Sequence, residues 1–402
     1  MTRQKRPRFA CLLLLTLLVS ACSSLDRRPD RQQPVPIRIA PTELSEAQLL
    51  DVWIEVFAPG PVPASPEQAR GINQEIREAE ARFIPVHLKK TLQQTGHWGA
   101  VRVVPEGTIG AELLVTGRIL ESDGELLKLH VKAIDSSAYQ WLDKTYQAVA
   151  VASDYATTSR GRKDAFQDLY NSIANDLVRS KQSLSDKARG SIRQLAELQF
   201  AASLVPDAFQ GYLASSDGRQ VIRRLPSRKD PMLVRVAAIR ERDYMLIDTV
   251  NGHYDAYYRD LWEPYGNWRK FYADESDNLR RVEREAMTRK VLGIGAMVGA
   301  IAISMAGGRD TMIRTDSLRN VMIIGGAMLA KSGFDKDQEK QIHIESMQEL
   351  SASFESESSP MVVEVDGETH RLTGSVEAQY TKWRELLQRI YRSETGLDAL
   401  QP

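Results

Sequence analysis

The fold is decided by residues 111–146, which read AELLVTGRILESDGELLKLHVKAIDSSAYQWLDKTY. Apolar and polar side chains alternate through Glu112–Glu121 and Leu126–Ile134, and this period of two predicts two β-strands. Ser122-Asp123-Gly124 joins them, and its Asp-Gly pair favours a tight hairpin because both turn positions prefer positive φ. A further strand is predicted around Trp141–Val151.

The segments on either side extend this pattern. Asp51–Phe57 alternates strictly between its two faces and predicts a strand, and Val101–Pro105 predicts another. Gln74–Gln94 predicts a helix because its apolar residues recur near the helical period of 3.6, and Lys163–Val178 predicts a second helix. The order β-α-β-β-β-β-α indicates an α+β protein that begins with a mixed α/β sandwich domain over residues 48–180.

This order and its turn chemistry resemble a group of periplasmic domains. The group comprises the amino-terminal domain of the Tol translocation protein, the curli-secretion lipoprotein and the lipoprotein activators of penicillin-binding proteins. The resemblance is carried by residues 82–106, RFIPVHLKKTLQQTGHWGAVRVVPE, and by residues 111–146 quoted above. It implies the fold of residues 48–180 rather than an activity. The long amphipathic hairpins with which the curli exporter builds a barrel have no counterpart in this sequence.

Residues 184–290 predict a mainly helical domain. One helix is expected to end near Pro206, and two or three more follow Leu233. Breaks between those later helices are predicted near Asn251-Gly252 and Pro264-Tyr265-Gly266, because glycine and proline weaken helix interiors.

An aromatic cluster lies in the same region and allows two interpretations. Its rings could form a groove that stacks on sugars or peptides, or they could be helix–helix core. Tyr254, Tyr258, Trp262 and Tyr265 fall at i, i+4, i+8 and i+11, which favours core packing. The cluster consists of Tyr244, Tyr254, Tyr257, Tyr258, Trp262, Tyr265, Trp268, Phe271 and Tyr272.

Residues 291–331 predict a glycine-rich apolar helical hairpin. Val291–Gly308 contains eighteen residues without a charge, and Gly295 and Gly299 stand in GxxxG register as the predicted helix-packing positions. Each glycine costs an exposed helix about 1 kcal/mol relative to alanine, which close helix packing could offset. Three readings stay open, in decreasing order of preference. They are a buried glycine-zipper hairpin, an oligomerisation or membrane-inserting hairpin, and a transmembrane helix.

Residues 332–402 predict a helix, a β-hairpin and a final helix. Met361–Val365 and Glu368–Leu372 are the expected hairpin strands, joined by Asp366-Gly367. Ser375 is expected to cap a final helix that runs to about Ser393.

The amino terminus predicts export and lipidation. Residues 1–21 have a basic start, the apolar run Phe9–Val19 and small residues before Cys22, which is the layout of a secretory signal. Val19-Ser20-Ala21-Cys22 resembles the bacterial lipobox, so Cys22 is the predicted lipidation site and mature amino terminus. The resemblance implies that Ser23, rather than Asp, after the lipidated cysteine favours the outer membrane, with the protein facing the periplasm. Residues 22–48, rich in Arg, Asp, Pro and Gln, are expected to form a flexible tether.

Little in the sequence points to catalysis. After cleavage the chain would carry 49 basic and 53 acidic residues, a balance that does not favour nucleic-acid binding. The six histidines form no metal-binding motif, and no cofactor, metal or catalytic residue is predicted. The preferred hypothesis is a non-enzymatic adaptor or assembly factor that contacts other envelope proteins, with a homo-oligomer also possible. The alternatives are a membrane-active oligomer that uses the glycine-rich hairpin, and a peptidoglycan binder or hydrolase.

Overall fold

The computed structural model of the protein describes residues 33–62, 74–155, 163–227, 229–304, 342, 344–349, 352, 361–365 and 368–395. A five-stranded sheet has the order β2-β1-β3-β4-β5. Strand β1 runs parallel to β2 and β3, whereas β3, β4 and β5 are antiparallel. The strands are β1 Val52–Glu55, β2 Val101–Val104, β3 Leu113–Ser122, β4 Leu126–Asp135 and β5 Gln140–Val149.

Five helices longer than one turn have bounds within the described ranges. They are α1 Gln74–Gln94, α2 Gln167–Gln182, α3 Asp186–Leu204, α4 Pro231–Ser304 and α5 Val376–Thr395. The predicted order β-α-β-β-β-β-α is confirmed through α2, and so is the α+β class. The described residues from Pro34 onward belong to one unit, and the predicted boundaries within it stay predictions.

Helix α1 lies between the sheet and the long helix α4. On one side its Ile84 and Leu88 pack with Val115 and Leu129 of the sheet in a core that α2 also joins. On the other side its Phe83 packs in a second core with Tyr258 of α4. Because both flanks of α1 are covered, polar residues of this helix become buried along with the apolar ones.

The breaks predicted near Asn251-Gly252 and Pro264-Tyr265-Gly266 are wrong, because α4 is one helix of 74 residues. It passes through Gly252 and contains Pro264. An internal proline costs a helix roughly 3 kcal/mol. The buried side chains of Leu261, Tyr265 and Trp268 flank the proline, and their burial offsets that cost. At about 1.5 Å per residue the helix is about 110 Å long.

A hairpin that was not predicted follows α3. Strands β6 Leu213–Ser216 and β7 Arg219–Ile222 pair around Asp217 and Gly218, which have φ values of 51° and 75°. Positive φ at both positions is what a two-residue hairpin requires, so the Asp-Gly pair was a usable signal. In the hairpin between β3 and β4, by contrast, only Gly124 has positive φ.

The last part of the predicted tether is bound to the folded chain. Residues 34–40, which we call the strap, are held against α2 and the end of α1 by hydrogen bonds such as Asn171 Nδ2 to Val35 O and Ala40 N to Thr95 O. Farther along, Arg193 donates to the carbonyl oxygens of residues 46, 47 and 49. The tether prediction for residues 22–48 is therefore wrong from Val35 onward.

The carboxyl-terminal elements agree with prediction where they are described. Strands β8 Met361–Val365 and β9 Glu368–Leu372 pair antiparallel, and Ser375 Oγ accepts a hydrogen bond from Ala378 N at the start of α5. Asp366-Gly367 lies outside the described residues. So do residues 305–331, most of the predicted glycine-rich hairpin. Among the helices that are described, none offers a segment both long and apolar enough to span a membrane.

Candidate functional site at the interface of α1 and α4

Aromatic packing forms the body of the interface between α1 and α4. The ring of Phe83 stacks on Tyr258 with centroids 4.6 Å apart and meets Tyr265 edge-on at 4.8 Å. Tyr265 in turn stacks on Trp268 at 5.9 Å. These side chains make α4 a fixed part of the fold over its middle turns, and several polar groups lie among them.

The first polar group is an ion pair. Arg269 Nη2 lies 2.7 Å from Asp164 Oδ2, and Nη1 lies 3.2 Å from Oδ1, so the pair is bidentate. The Arg269 guanidinium also lies 4.2 Å from the centroid of Tyr265. Burial alone would raise the pKa of Asp164, but the adjacent Arg269 and a hydrogen bond from Phe166 N hold that pKa below its usual value. Both partners are therefore charged inside the core.

The second polar group is centred on Glu80, which is fully buried on α1. Its Oε1 accepts hydrogen bonds from Ser122 Oγ at 2.5 Å and from Tyr265 Oη at 2.9 Å. Its Oε2 lies 2.7 Å from Arg77 Nη1. One carboxylate thus joins α1, strand β3 and α4.

The third polar group is the buried imidazole of His87. Its Nδ1 lies 2.8 Å from Tyr258 Oη and its Nε2 lies 2.9 Å from Gln167 Oε1. Burial lowers the pKa of His87, so the ring is neutral and carries one N–H. The amide oxygen of Gln167 can only accept, which places that proton on Nε2. Nδ1 then accepts from the Tyr258 hydroxyl.

The fourth polar group covers an edge of the sheet. Strand β2 is an edge strand, and Asn251 Oδ1 of α4 accepts a hydrogen bond from Val103 N at 3.0 Å. The same oxygen accepts from Lys89 Nζ at 3.1 Å, and Lys89 also pairs with Asp255 at 2.5 Å. Sheet edges left open are sites of unwanted strand pairing. Helix α4 therefore covers this edge at Asn251, the position where a break was predicted.

Gly124 permits the close approach of α4 to the sheet. Its φ is +81°, and a Cβ there would lie 2.6 Å from the carbonyl oxygen of Arg269. A real Cβ does not approach a backbone oxygen so closely. The absence of a side chain at Gly124 is thus needed for both the turn and the helix contact.

Two carboxyl groups near the start of α4 have raised pKa values. Burial raises the pKa of Glu112 to about 7, and the nearby Asp51 carboxylate contributes. Burial raises the pKa of Asp243 to about 6, although Arg384 and a hydrogen bond from Trp383 Nε1 act in the opposite direction. These groups lie where α4 meets the sheet and α5.

The polar groups of this interface are bonded to one another. The carboxylates of Asp164 and Glu80 are engaged by cations and hydroxyls of the chain itself, and the ring of His87 has a partner on each nitrogen. Across the described ranges, no three His, Cys, Asp or Glu side chains are grouped so that they could hold a metal ion. The arrangement fixes α4 on the α/β sandwich.

The predicted site residues lie elsewhere in the chain. Cys22 is outside the described residues. Gly295 and Gly299 belong to the helical backbone of α4, where their spacing of four places them on the same face.

The aromatic cluster is core, as the packing interpretation predicted. Tyr254 and Trp268 are fully buried, and Tyr244, Trp262 and Phe271 are only partly buried against the same core. Several of its rings, among them Tyr258, Tyr265 and Trp268, pack on other rings of the chain. Packing of this kind is expected when rings recur along one helix face.

Sequence reasoning missed the buried charges. Signals for them existed, because Glu80 follows Ile76 by four residues and Arg269 follows Tyr265 by four, which places each charge on an apolar face. Asp164 carried no such signal, since it precedes its helix. Charged residues on an apolar face are rarely buried without a partner, so each of them predicts a partner elsewhere in the fold.

No family model, characterised protein or solved structure matches this chain.

Proposed function

We propose that this protein is a lipid-anchored envelope protein, held at the periplasmic face of the outer membrane through Cys22, that acts by protein–protein contacts. Its role is that of a non-enzymatic adaptor or assembly factor. The export signal and lipobox support the anchoring. The resemblance to the periplasmic Tol, curli-secretion and activator domains supports the same compartment.

One observation carries the adaptor role: helix α4 packs on the α/β sandwich, and its backbone continues beyond the last residue described as buried there. The buried residues of α4 that contact the core extend to Ala273, and the helical backbone continues to Ser304. Of the side chains described beyond Ala273, at 274–278 and 281, none is buried. This part, residues 274–304, is about 45 Å of helix at ~1.5 Å per residue. An adaptor needs exposed positions for another protein, and Glu275 and Arg281 provide them on this part of α4.

The test is site-specific photocrosslinking in intact envelopes. A photoreactive residue would replace Glu275 or Arg281 on α4, both exposed, and Lys132 on the open sheet face would serve as the control position. We expect adducts of one or a few defined sizes from the two α4 positions and none from Lys132. Adducts confined to Lys132, or none at all from α4, would contradict the assignment of α4 as the contact surface.

A second candidate is a membrane-active oligomer. It is supported by the continuous helical backbone through Gly295 and Gly299, which puts both glycines on one face where another helix could approach. A partner helix in this case would be that of a second copy. The glycan-binding alternative has less support, because the aromatic cluster that suggested it is packed within the core.

A further inference from the structure

The strap is held by its backbone. Asn171 Nδ2 donates to Val35 O at 2.7 Å, and Asn175 Nδ2 donates to Pro36 O at 2.9 Å. The Asn175 side chain also accepts from Arg38 N at 2.8 Å. Both asparagines are buried on α2, one turn apart. The side-chain amides of Asn171 and Asn175 therefore bind the backbone of the strap, and the side chains of the strap take no part in these hydrogen bonds.

One of the two asparagines continues into the core. Asn171 Oδ1 accepts from Gln167 Nε2 at 3.0 Å, and Gln167 Oε1 accepts from His87 Nε2 at 2.9 Å. His87 Nδ1 accepts from Tyr258 Oη at 2.8 Å. The hydrogen bonds run without a gap from Tyr258 of α4, across α1 and α2, to the carbonyl oxygen of Val35. We call this series the polar chain.

The polar chain links its ends because Asn171, Gln167 and His87 each form hydrogen bonds to two neighbours within it. Turning the Asn171 amide away from Val35 disturbs its bond to Gln167, and a displaced Gln167 leaves the N–H of buried His87 without its acceptor. A buried polar group that loses its partner costs about 1–3 kcal/mol. Hydrogen bonds in series also polarise one another in a low-dielectric interior. Asn175 clips the strap equally well, but its hydrogen bonds do not reach Gln167.

We infer that seating of the strap on α2 and seating of α4 on α1 are energetically coupled through the polar chain, so that displacing the strap loosens α4 around Tyr258. The coupling stands on these side chains and needs no lipid. If Cys22 is anchored as proposed, only residues 23–33 separate the lipid from the strap. Those eleven residues reach at most about 40 Å when fully extended. Tension on the anchor would then pull the strap away from α2 and, through the polar chain, loosen α4.

The test measures release of the strap from α2 in proteins that carry a substitution on α4. Trypsin can cleave after Arg38 only when the strap leaves α2, because the backbone N–H of Arg38 is otherwise bound to Asn175. Tyr258→Phe removes the donor to His87 and keeps the ring stacked on Phe83. Tyr254→Phe is the matched control, since Tyr254 precedes Tyr258 by one turn and its hydroxyl contacts Glu377 of α5 rather than His87. The full chain would be digested in detergent, at a temperature where circular dichroism finds both variants folded.

We expect Tyr258→Phe to speed cleavage after Arg38 about threefold to tenfold, the range that one lost hydrogen bond implies. Tyr254→Phe should leave the rate unchanged. Asn171→Ala should speed cleavage by itself, and adding Tyr258→Phe should then have little further effect, because the polar chain is already cut. An unchanged rate in Tyr258→Phe, an equal rise in Tyr254→Phe, or full multiplication of the two effects in the double variant would each overturn the coupling.

Discussion

Asp164 and Arg269 lie 105 residues apart in the chain and form a bidentate ion pair that is almost completely buried. Asp164 precedes α2, and Arg269 belongs to α4. The pair therefore joins the α/β sandwich to the long helix at a point where neither charge can be solvated. Buried pairs of this kind add little stability over an apolar pair, but they strongly penalise the loss of one partner.

Breaking the Asp164–Arg269 pair should destabilise the protein strongly. We expect Arg269→Met to lower the free energy of unfolding by about 3–5 kcal/mol, because the Asp164 carboxylate is left buried and unpaired. Adding Asp164→Asn keeps the acceptor for Phe166 N and should recover part of that loss. Urea unfolding followed by circular dichroism measures both. If the double variant loses as much stability as Arg269→Met and Asp164→Asn lose separately when added together, this account is contradicted.

Gly124 should be more sensitive to substitution than another glycine of similar backbone conformation. Gly124→Ala must strain a positive φ and also push Arg269 away, whereas Gly218→Ala meets positive φ with no atom within 4 Å of its Cβ. We expect Gly218→Ala to cost about 1–2 kcal/mol and Gly124→Ala about 1 kcal/mol more at least. Equal losses in thermal or urea unfolding would mean that the approach of α4 to Gly124 is unimportant.

Stability should fall as the pH rises through the titration of Glu112. The pKa of Glu112 is raised by burial to about 7 in the folded protein. The folded state therefore binds the proton more tightly than the unfolded state between about pH 4.5 and 7, and each increase in pH there removes stability. Glu112→Gln cannot titrate, so its free energy of unfolding relative to the wild type should rise by on the order of 2 kcal/mol between about pH 5 and 8. A constant difference between the two proteins across that range would show that Glu112 has an ordinary pKa.

Cys22 should be required for membrane attachment. We expect Cys22→Ala to leave the membrane pellet, or to accumulate as a precursor that retains residues 1–21, because no thiol remains to accept the lipid. Cys11→Ala is the matched control: Cys11 belongs to the predicted signal, so its loss should leave fractionation unchanged. A Cys22→Ala protein that is processed and sediments with membranes as before would contradict lipidation at this position.

Gly295 and Gly299 should tolerate large side chains only if no helix packs against them. Leucine at both positions raises helix propensity and apolarity, so a membrane-spanning role would be unaffected. Close packing would be lost, since the backbones must separate. We expect Gly295→Leu with Gly299→Leu to lower the melting temperature by about 3 °C or more if the contact lies within one chain. A contact between chains would instead shift the oligomer towards monomer in light scattering, and no change in either measurement would exclude close packing.

Local periodicity was sufficient for most of the element pattern. The helix at Gln74–Gln94 has the predicted bounds, and strands β3, β4 and β5 lie within two residues of prediction. The apolar residues that recur at helical spacing in α5 are buried: Val376, Tyr380, Trp383, Leu386, Leu387 and Ile390. These features follow from the sequence because alternation and the 3.6-residue repeat are properties of a segment and its single buried face. The paired charges were not accessible in this way, since their partners are distant in sequence.

Tertiary packing decided the remaining features. Helix α4 continues past Pro264 because rings on both sides of the proline are buried against α1. Local helix propensity does not include the free energy of that burial. Val35 is bound to the folded chain because the buried side-chain amide of Asn171, more than one hundred residues later, donates a hydrogen bond to its carbonyl oxygen. The burial of Glu80 likewise depends on Ser122 and Tyr265. The sequence by itself thus determined which segments are helix and strand, whereas contacts between distant segments determined where helices end and which charges are buried.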